Sequence, residues 1–309
     1  MLKMVSIDIH PFTKMLMASC LIIAAYVLIA PKPDIILTEV PPPPTINFDH
    51  IKVKKEDYFV VFVIPTMAHK VKSRETIRAT WANMTAWSGL DPLREQYSYF
   101  NFKIMFIIGD MRDDEPYSQE FLDEASKHND IFIVSGLVEH RLVLKYKVLW
   151  ALKRSQHLYN YKFLIKTDDD ILVNLPQLMV KLNTVGRHMT YGGECFQRYG
   201  GFSGYPRWVY CSGGGYVLSY DMVSSLFKLD PGVHNVPFRP EDGYVGWLVY
   251  NVNKNLNFTL KVPKKFGHVL KTYGYDCGIY DHWFYHYVGT PKKMTTLFQN
   301  INTNSWVKC

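Results

Sequence analysis

The sequence predicts an α/β fold built on a mainly parallel central sheet. Short apolar runs, rich in β-branched and aromatic residues, alternate with segments whose apolar residues recur at helical spacing. That alternation is typical of βαβ units, in which helices cover both faces of a parallel sheet. The predicted strands cover residues 58–64, 102–108, 131–134 and 163–165, and the predicted helices between them cover residues 73–81, 118–128 and 142–157.

Beyond the fourth strand the pattern is less regular. Glycine and aromatic residues dominate residues 191–210, which predicts an irregular binding region. The remaining predicted elements are a helix at 175–185, a strand at 216–219, short helices at 222–229 and 244–250, a β-like aromatic run at 283–288 and a late helix at 291–298.

Composition and charge are those of a globular chain that binds an anionic ligand. The 309 residues are 48% hydrophobic and 15% aromatic, which is ample for a core, and the net charge is +7. A moderately basic domain suits an anionic small molecule or a membrane surface. Because the lysines and arginines are scattered, nucleic acid is not predicted as a partner.

The N-terminal region predicts a membrane anchor followed by a stem. Residues 15–30 carry no charge and follow Lys14. A cleaved signal peptide is the alternative, but the length of the run and the lack of a clear cleavage site favour a retained signal anchor. Residues 1–14 would then be cytoplasmic, the proline-rich residues 31–57 would form a stem, and residues 58–309 would fold in the lumen.

The cysteines and two sequons fit a lumenal domain. The four cysteines beyond the stem are compatible with two disulfides in any of three pairings, and the sequence does not choose among them. Asn83 and Asn257 each begin a sequon that is a candidate for a glycan. The four cysteines are Cys195, Cys211, Cys277 and Cys309.

An acidic triplet follows the fourth predicted strand. Asp168, Asp169 and Asp170 would lie at the carboxyl end of that strand, where ligands bind in open α/β sheets. Adjacent carboxylates repel one another, and hard oxygen ligands favour Mg²⁺ or Mn²⁺. A solvated acidic turn and a calcium loop are the alternatives, although the spacing does not fit an EF-hand.

Two further pairs of charged residues are candidates for the same site. Arg74 and Arg78 are four residues apart on one face of a predicted helix, where they could grip a phosphate or be ordinary surface charges. Glu241 and Asp242 stand at a predicted helix start, where a carboxylate can act as a general base or simply interact with the helix dipole.

Two other features leave a structural alternative open. The three glycines after Ser212 would let the backbone approach a ligand or form a tight turn. His286 lies in the aromatic run and would be structural or, if its ring faced the triplet, a metal ligand.

Taken in order, these motifs resemble the β-1,3-galactosyltransferases, glycosyltransferase family 31. The resemblance runs from about residue 58 to the C terminus, and a short anchor, a stem and a lumenal catalytic domain are also that family's layout. The motifs are Arg74 and Arg78 with Trp81, Lys166 to Asn174, Tyr210 to Leu218, Glu241 to Gly246, and His286 followed by Thr290 and Pro291.

The resemblance implies a GT-A, Rossmann-like domain that binds a nucleotide sugar, with the acidic triplet as its DxD motif. Asp168 would face the nucleotide and ribose, Asp169 would belong to the same donor-binding set, and Asp170 would bind Mn²⁺ or Mg²⁺ between the two phosphates of a UDP-sugar. His286 matches the position of a second metal ligand. Asp242 matches the catalytic base.

Three basic residues match donor-binding positions of the family. They are Arg74, Arg78 and Lys145, the last within a segment that reads Arg-Leu-Val-Leu-Lys-Tyr where the family usually has Asn-Leu-Thr-Leu-Lys-Thr.

The function expected from the resemblance is an inverting, metal-dependent β-1,3-hexosyltransferase. Galactose from UDP-galactose would pass to a glycan acceptor on protein or lipid, with N-acetylglucosamine as the alternative sugar. A lectin-like or chaperone pseudoenzyme is the alternative of another class. The expected location is the Golgi membrane as a single-pass type II protein, with the endoplasmic reticulum as the alternative.

Overall fold

The computed structural model describes most of the chain between residues 53 and 303. The predicted anchor at residues 15–30, most of the stem, Cys277, Cys309 and the Asn257 sequon lie outside the described residues. Among the residues described, no helix combines the length and the apolar character needed to cross a membrane. The described residues are 53–87, 100–111, 116–198, 206–230, 232, 240–256, 269–271, 284–286 and 289–303.

Strands and helices alternate through the first half of the described chain, as the sequence predicts. The strands are β1 Glu56–Pro65, β2 Phe102–Asp110, β3 Ile131–Val138, β4 Tyr159–Thr167, β5 Leu172–Val173, β6 Tyr191–Arg198, β7 Trp208–Ser219, β8 Val269–Lys271 and β9 Phe284–His286. The α-helices are α1 Val71–Ala79, α2 Gln119–Lys127, α3 Leu144–Leu158, α4 Leu175–Thr184, α5 Tyr220–Leu226, α6 Glu241–Leu256 and α7 Pro291–Asn302.

The main sheet has six strands in the order β3-β2-β1-β4-β7-β6. The first four are parallel, whereas β7 is antiparallel to β4 and β6 is antiparallel to β7. The mainly parallel sheet predicted from the sequence is therefore confirmed for its first four strands. A smaller sheet, in the order β5-β9-β8, lies beyond the end of β4.

The parallel strands are buried because both of their faces are covered. In β1 the residues from Val60 to Ile64 have no exposed surface, and alternate side chains point to opposite faces. Val60 and Phe62 pack into one core cluster with Ile77 of α1, while helix α3 runs along β1 to β4. Continuous apolar runs of this kind are what parallel strands need.

The prediction of an irregular region at residues 191–210 is wrong for the residues that the structure describes. They form β6 and the start of β7, and Cys195 is bonded to Cys211 across the two strands. The tight turn considered for the glycines after Ser212 is also wrong, because they lie within β7. A Cβ on Gly215 would stand 2.7 Å from the ring of Phe284, so the glycine lets β9 pack closely against the sheet.

Helix α6 is also longer than predicted. The sequence indicates a short helix at residues 244–250, but α6 runs from Glu241 to Leu256 and packs against β7. Gly246 allows that contact, since a Cβ there would meet the Cβ of Tyr210 at 2.5 Å.

The strand order positions a binding crevice. The chain leaves β1 towards β2 on one side and returns through β4 on the other, so the order reverses between β1 and β4. In open α/β sheets ligands bind outside the carboxyl ends of the strands at such a point. The residues that follow β1 and β4 are therefore the expected place for a site.

Candidate functional site

The acidic triplet lies at the expected place, directly after β4. Val63 of β1 pairs with Lys166 of β4, so the residues that follow the two strands are level with each other. Thr66 donates from Oγ1 to Asp169 Oδ2 at 2.7 Å, and Lys70 Nζ lies 2.8 Å from Asp169 Oδ1. Asp169 is buried and fastens the loop after β1 to the loop after β4. Its predicted contact with a donor stays a prediction.

Lys166 is a buried cation that the sequence interpretation did not assign to the site. Only 1% of its side chain is exposed, and its Nζ lies 2.7 Å from Asp168 Oδ1 and 3.2 Å from Glu241 Oε2. It also donates to the carbonyl oxygen of Gly213 at 2.7 Å. Burial by itself lowers the pKa of Lys166, but the two carboxylates raise that pKa above its usual value, so the ammonium stays charged.

Glu241 is a buried carboxylate at the start of α6. Its Oε1 accepts a hydrogen bond of 2.5 Å from the hydroxyl of Tyr216, and its Oε2 faces Lys166. Burial raises the pKa of Glu241, while Lys166 and the Tyr216 hydroxyl act in the opposite direction. The net result is a raised pKa, so these two partners offset the effect of burial only in part.

Asp242, the predicted base, lies beside Glu241 and is half-buried. Its Oδ1 accepts a 2.6 Å hydrogen bond from the backbone N–H of Gly243, and its Oδ2 accepts a 3.3 Å bond from that of Gly213. These bonds hold the carboxylate at the positive end of the helix dipole. They leave lone pairs on both oxygens that can accept a proton.

A pocket of about 470 Å³ brings two of the predicted residues together. Asp168 and Asp242 both line it, so the donor-side acid and the predicted base face one space. Among the described residues, its lining consists of Leu142, Leu144, Lys166, Asp168, Gly213, Pro240, Glu241 and Asp242.

Asp170 lies on the other side of the acidic turn. It lines a smaller cavity of about 90 Å³ with Asp169 and Lys70, near Thr290 at the start of α7. The triplet therefore separates two spaces, with Asp168 facing the larger and Asp170 the smaller.

His286 is near Asp170 by backbone position, and its side chain lies outside the described residues. Strand β9 is antiparallel to β5, with Leu172 opposite Tyr285. One step further in that register places His286 beside the residue that follows Asp170. No group of three or more potential metal ligands is found among the described residues. Aspartate oxygen and imidazole nitrogen are nevertheless donors that suit Mn²⁺, so the residue types fit the predicted ion.

The two predicted donor-binding arginines lie in a separate ion-pair cluster. Arg74 has no exposed surface and forms a two-pronged pair with Glu124, with bonds of 2.9 and 2.6 Å. Arg78 contacts the same glutamate at 2.7 Å and Asp130 at 2.8 Å. This geometry favours a positioning role, and direct contact with a donor stays a prediction.

Arg74 acts on the site through the backbone of the loop after β1. Its Nη1 donates to the carbonyl oxygen of Met67 at 2.6 Å, and its Nη2 donates to that of Ala68 at 2.9 Å. Because the same loop carries Thr66, the arginine helps to hold the partner of Asp169.

Two lysines of α3 have different surroundings. Lys145, the predicted donor contact, has its Nζ 4.8 Å from the ring centre of Tyr146 and 5.4 Å from that of Tyr244. Lys147 is buried, donates to the carbonyl oxygen of Thr66 at 2.7 Å and pairs with Glu139. Burial lowers the pKa of Lys147, and Glu139 opposes that shift. The donor contact of Lys145 stays a prediction.

Several residues of the site were missed because their role depends on long-range contacts. Thr66 and Lys70 are 103 and 99 residues from Asp169, and Tyr216 is 25 residues from Glu241. The one local signal was Lys166, a charge inside a run that otherwise reads as a buried strand.

Comparison with known proteins agrees with the motifs. Residues 72–200 match a family model described as Galactosyltransferase. The chain is 26% identical over 216 residues to UDP-GalNAc:beta-1,3-N-acetylgalactosaminyltransferase 1 of Mus spicilegus, covering 64% of this chain and 61% of that protein. It is 26% identical over 218 residues to Beta-1,3-galactosyltransferase 2 of Mus musculus, covering 63% and 48%. The match thus spans less than two thirds of the length of these relatives.

The residues and these matches define a glycosyltransferase domain. Residues 72–200 match a galactosyltransferase domain, and the curated relatives agree with the resemblance to the β-1,3-galactosyltransferases of glycosyltransferase family 31.

Solved structures of glycosyltransferases are more distant. A galactosyltransferase, LgtC, in complex with donor and acceptor sugar analogues is 10% identical, with a TM-score of 0.34 and coverage of 62% of this chain and 69% of that chain. A glycosyltransferase involved in the glycosylation of the major capsid of PBCV-1 is 12% identical, with a TM-score of 0.32 and coverage of 78% and 98%.

Proposed function

We propose that the protein is an inverting β-1,3-hexosyltransferase that takes its sugar from a UDP-sugar and transfers it to a glycan acceptor. The observation that carries this proposal is the shared pocket of Asp168 and Asp242 at the carboxyl ends of the parallel strands. Asp168 follows strand β4 and Asp242 begins helix α6, so the donor and the acceptor can be bound by different elements. We assign the pocket to a GT-A nucleotide-sugar site.

Asp242 is the base of the proposed reaction. Its carboxylate would take the proton of the acceptor hydroxyl as that oxygen attacks the anomeric carbon, while the bond to UDP breaks. A positioned carboxylate contributes about 10²–10⁴-fold to such a step. One direct displacement inverts the anomeric centre, so an α-linked donor gives a β-linkage.

The other acidic residues would hold the leaving group. Asp168 would contact the ribose, and Asp169 would keep the two loops together. We assign Asp170 and His286 to a divalent cation, Mn²⁺ or Mg²⁺. Such an ion, when bound, would neutralise the charge that develops on the departing diphosphate.

The donor sugar is proposed as galactose, with N-acetylgalactosamine as a second candidate. The family model that matches is described as a galactosyltransferase, and some relatives carry N-acetylgalactosaminyl transfer in their names. N-acetylglucosamine remains the alternative from the sequence motifs. The presence of both Asp168 and Asp242 on one pocket favours an enzyme over a lectin-like or chaperone pseudoenzyme, which would not need a base.

We further propose that the domain works in the Golgi lumen, attached to the membrane by residues 15–30. The disulfide between Cys195 and Cys211 supports an oxidising compartment.

A donor panel followed by an acceptor array tests the function. The full chain should hydrolyse UDP-galactose or UDP-N-acetylgalactosamine slowly in the presence of Mn²⁺ and transfer the sugar faster when a suitable acceptor is added. Absence of turnover with every UDP-sugar, together with absence of UDP binding, would sink the proposal.

A substitution of Asp170 tests the assignment of this residue to the metal ion. Asp170→Ala should reduce Mn²⁺-dependent turnover by about 10²-fold or more, because stabilisation of the leaving group by several kcal/mol is lost. Mn²⁺ binding should be measured by calorimetry in the presence of UDP. Asp123→Ala, an exposed aspartate of α2, is the matched control and should behave as the wild type. Unchanged activity of Asp170→Ala would show that this carboxylate does not hold the ion.

A further inference from the structure

We infer that Lys166 is a positioning residue that fixes Asp168 and Asp242 relative to each other across the pocket. This inference rests on the proposed function and adds to it a residue that acts through Asp168 and Asp242. It starts from one buried ammonium group whose partners belong to three different parts of the chain.

The ammonium group of Lys166 has three partners. It donates hydrogen bonds to Asp168 Oδ1 and to the Gly213 carbonyl oxygen, each at 2.7 Å, and it forms an ion pair with Glu241 Oε2 at 3.2 Å. These partners lie in the loop after β4, in β7 and at the start of α6. One cation therefore joins the donor side of the pocket to the helix that carries the base and to the strand that donates a hydrogen bond to it.

Asp242 is connected to this cation by two short routes. Gly213 accepts from Lys166 through its carbonyl oxygen and donates through its N–H to Asp242 Oδ2 at 3.3 Å. Glu241 is the neighbour of Asp242 in the first turn of α6, and the Tyr216 hydroxyl holds its second oxygen. A shift of the ammonium group would therefore move the base both through β7 and through the helix.

The space around the ammonium leaves little freedom for that shift. A Cβ on Gly213 would stand 3.3 Å from Lys166 Nζ and 3.6 Å from Glu241 Oε2. The bulkier guanidinium of an arginine would have to displace the strand or the helix. The site therefore requires a compact cation rather than any positive charge.

A purely structural role makes a different prediction. If Lys166 served only to neutralise the buried Glu241, removing both charges together would restore the protein. Lys166→Met alone leaves Glu241 without its cation and should lower the melting temperature. The double variant Lys166→Met, Glu241→Gln removes both charges and keeps an acceptor for the Tyr216 hydroxyl, so its melting temperature should recover.

The double variant separates the two roles. Positioning predicts that its kcat for transfer stays about 10²-fold below that of the wild type, the cost of a small misplacement of a reacting group. The KM for the acceptor should change much less than kcat. Recovery of both kcat and melting temperature in the double variant would overturn the inference. Lys162→Met, an exposed lysine of the same strand, is the matched control and should leave kcat unchanged.

Hydrogen exchange keeps the inference testable if the proposed function fails. Backbone amides at the start of α6 and in β7 around Gly213 should exchange faster in the double variant, even though global stability has recovered. Unchanged exchange at both places would overturn the positioning role. Absence of transfer by the wild type, with faster exchange in the double variant, would refute the hexosyltransferase proposal and leave the positioning role standing.

Discussion

Two clusters of buried charge lie near the binding crevice, and they differ in balance. The arginine cluster, made of Arg74, Arg78, Glu124 and Asp130, contains two cations and two carboxylates. The lysine cluster comprises the charged residues that line the larger pocket. Among the residues described there, one cation, Lys166, faces three carboxylates, Asp168, Glu241 and Asp242.

The difference in charge balance distinguishes a structural role for the arginine cluster from a catalytic role for the lysine cluster. In the arginine cluster the guanidinium groups donate to carboxylates at distances of 2.6 to 3.1 Å, and Arg74 is fully buried. Such a set holds α1, α2 and the loop after β1 together. The lysine cluster has more negative than positive charge and opens to a pocket. Carboxylates in excess at a cleft are candidates for acid–base chemistry.

The largest expected effect follows from substituting the proposed base in the lysine cluster. Asp242→Asn should lower kcat for transfer by about 10²–10⁴-fold, because the amide cannot take the acceptor proton. UDP affinity, measured by calorimetry, should stay within about threefold of the wild type because the assigned donor contacts are intact. Transfer at the wild-type rate would mean that another group is the base.

A smaller effect is expected from crowding the lysine cluster. Gly213→Ala places a methyl group 3.3 Å from Lys166 Nζ, which is tight but can be relieved by small movements. We expect kcat to fall roughly tenfold, which corresponds to about 1.4 kcal/mol. Gly186→Ala is the control, because a Cβ there meets nothing within 4 Å. Equal kcat values in the two variants would show that the lysine cluster tolerates displacement.

The smallest effect concerns alkaline pH and lies outside both clusters. Burial raises the pKa of Tyr159 to about 12, and burial together with Asp110 raises that of Tyr117 to about 12. In the unfolded chain both hydroxyls lose their protons near pH 10. The unfolded state then binds fewer protons, so the free energy of unfolding should fall as pH rises from about 10 to 12.

Thermal unfolding across that pH range measures the effect. Replacing both tyrosines by phenylalanine should make the fall shallower without abolishing it. Lys166 and other tyrosines such as Tyr58 also have raised pKa values, so they too bind protons more tightly in the folded chain than in the unfolded one. A fall that is equally steep in the double variant would show that Tyr159 and Tyr117 do not contribute to it.

The parallel part of the fold was predictable, and the antiparallel part was not. Strands such as β1 are continuous apolar runs, and their length and composition identify them locally. Strand β7 contains three consecutive glycines, a composition that indicates a turn. Gly215 leaves the space that the ring of Phe284 occupies, and this contact joins segments about 70 residues apart in sequence.

The site was likewise predictable only in part. Asp168 and Asp242 were identified by motif, and the structure brings both to one pocket. The roles of Lys166 and Glu241 were not apparent, because each depends on the other across about 75 residues of sequence. The pairing of Arg74 with Glu124 was not apparent either, because the two residues are 50 positions apart in sequence.

The most direct test of the contrast between the two clusters is a matched pair of amide substitutions, Glu124→Gln and Asp168→Asn, each measured for UDP affinity and free energy of unfolding. Glu124→Gln should cost about 3–5 kcal/mol of stability, because it removes the shared partner of two arginines, and it should leave UDP affinity nearly unchanged. Asp168→Asn should weaken UDP binding by about tenfold or more. It should leave the free energy of unfolding within about 1 kcal/mol of the wild type, because Lys166 still forms its ion pair with Glu241. The reverse pattern, with UDP binding lost in Glu124→Gln and retained in Asp168→Asn, would contradict a structural role for the arginine cluster and a substrate-binding role for the lysine cluster.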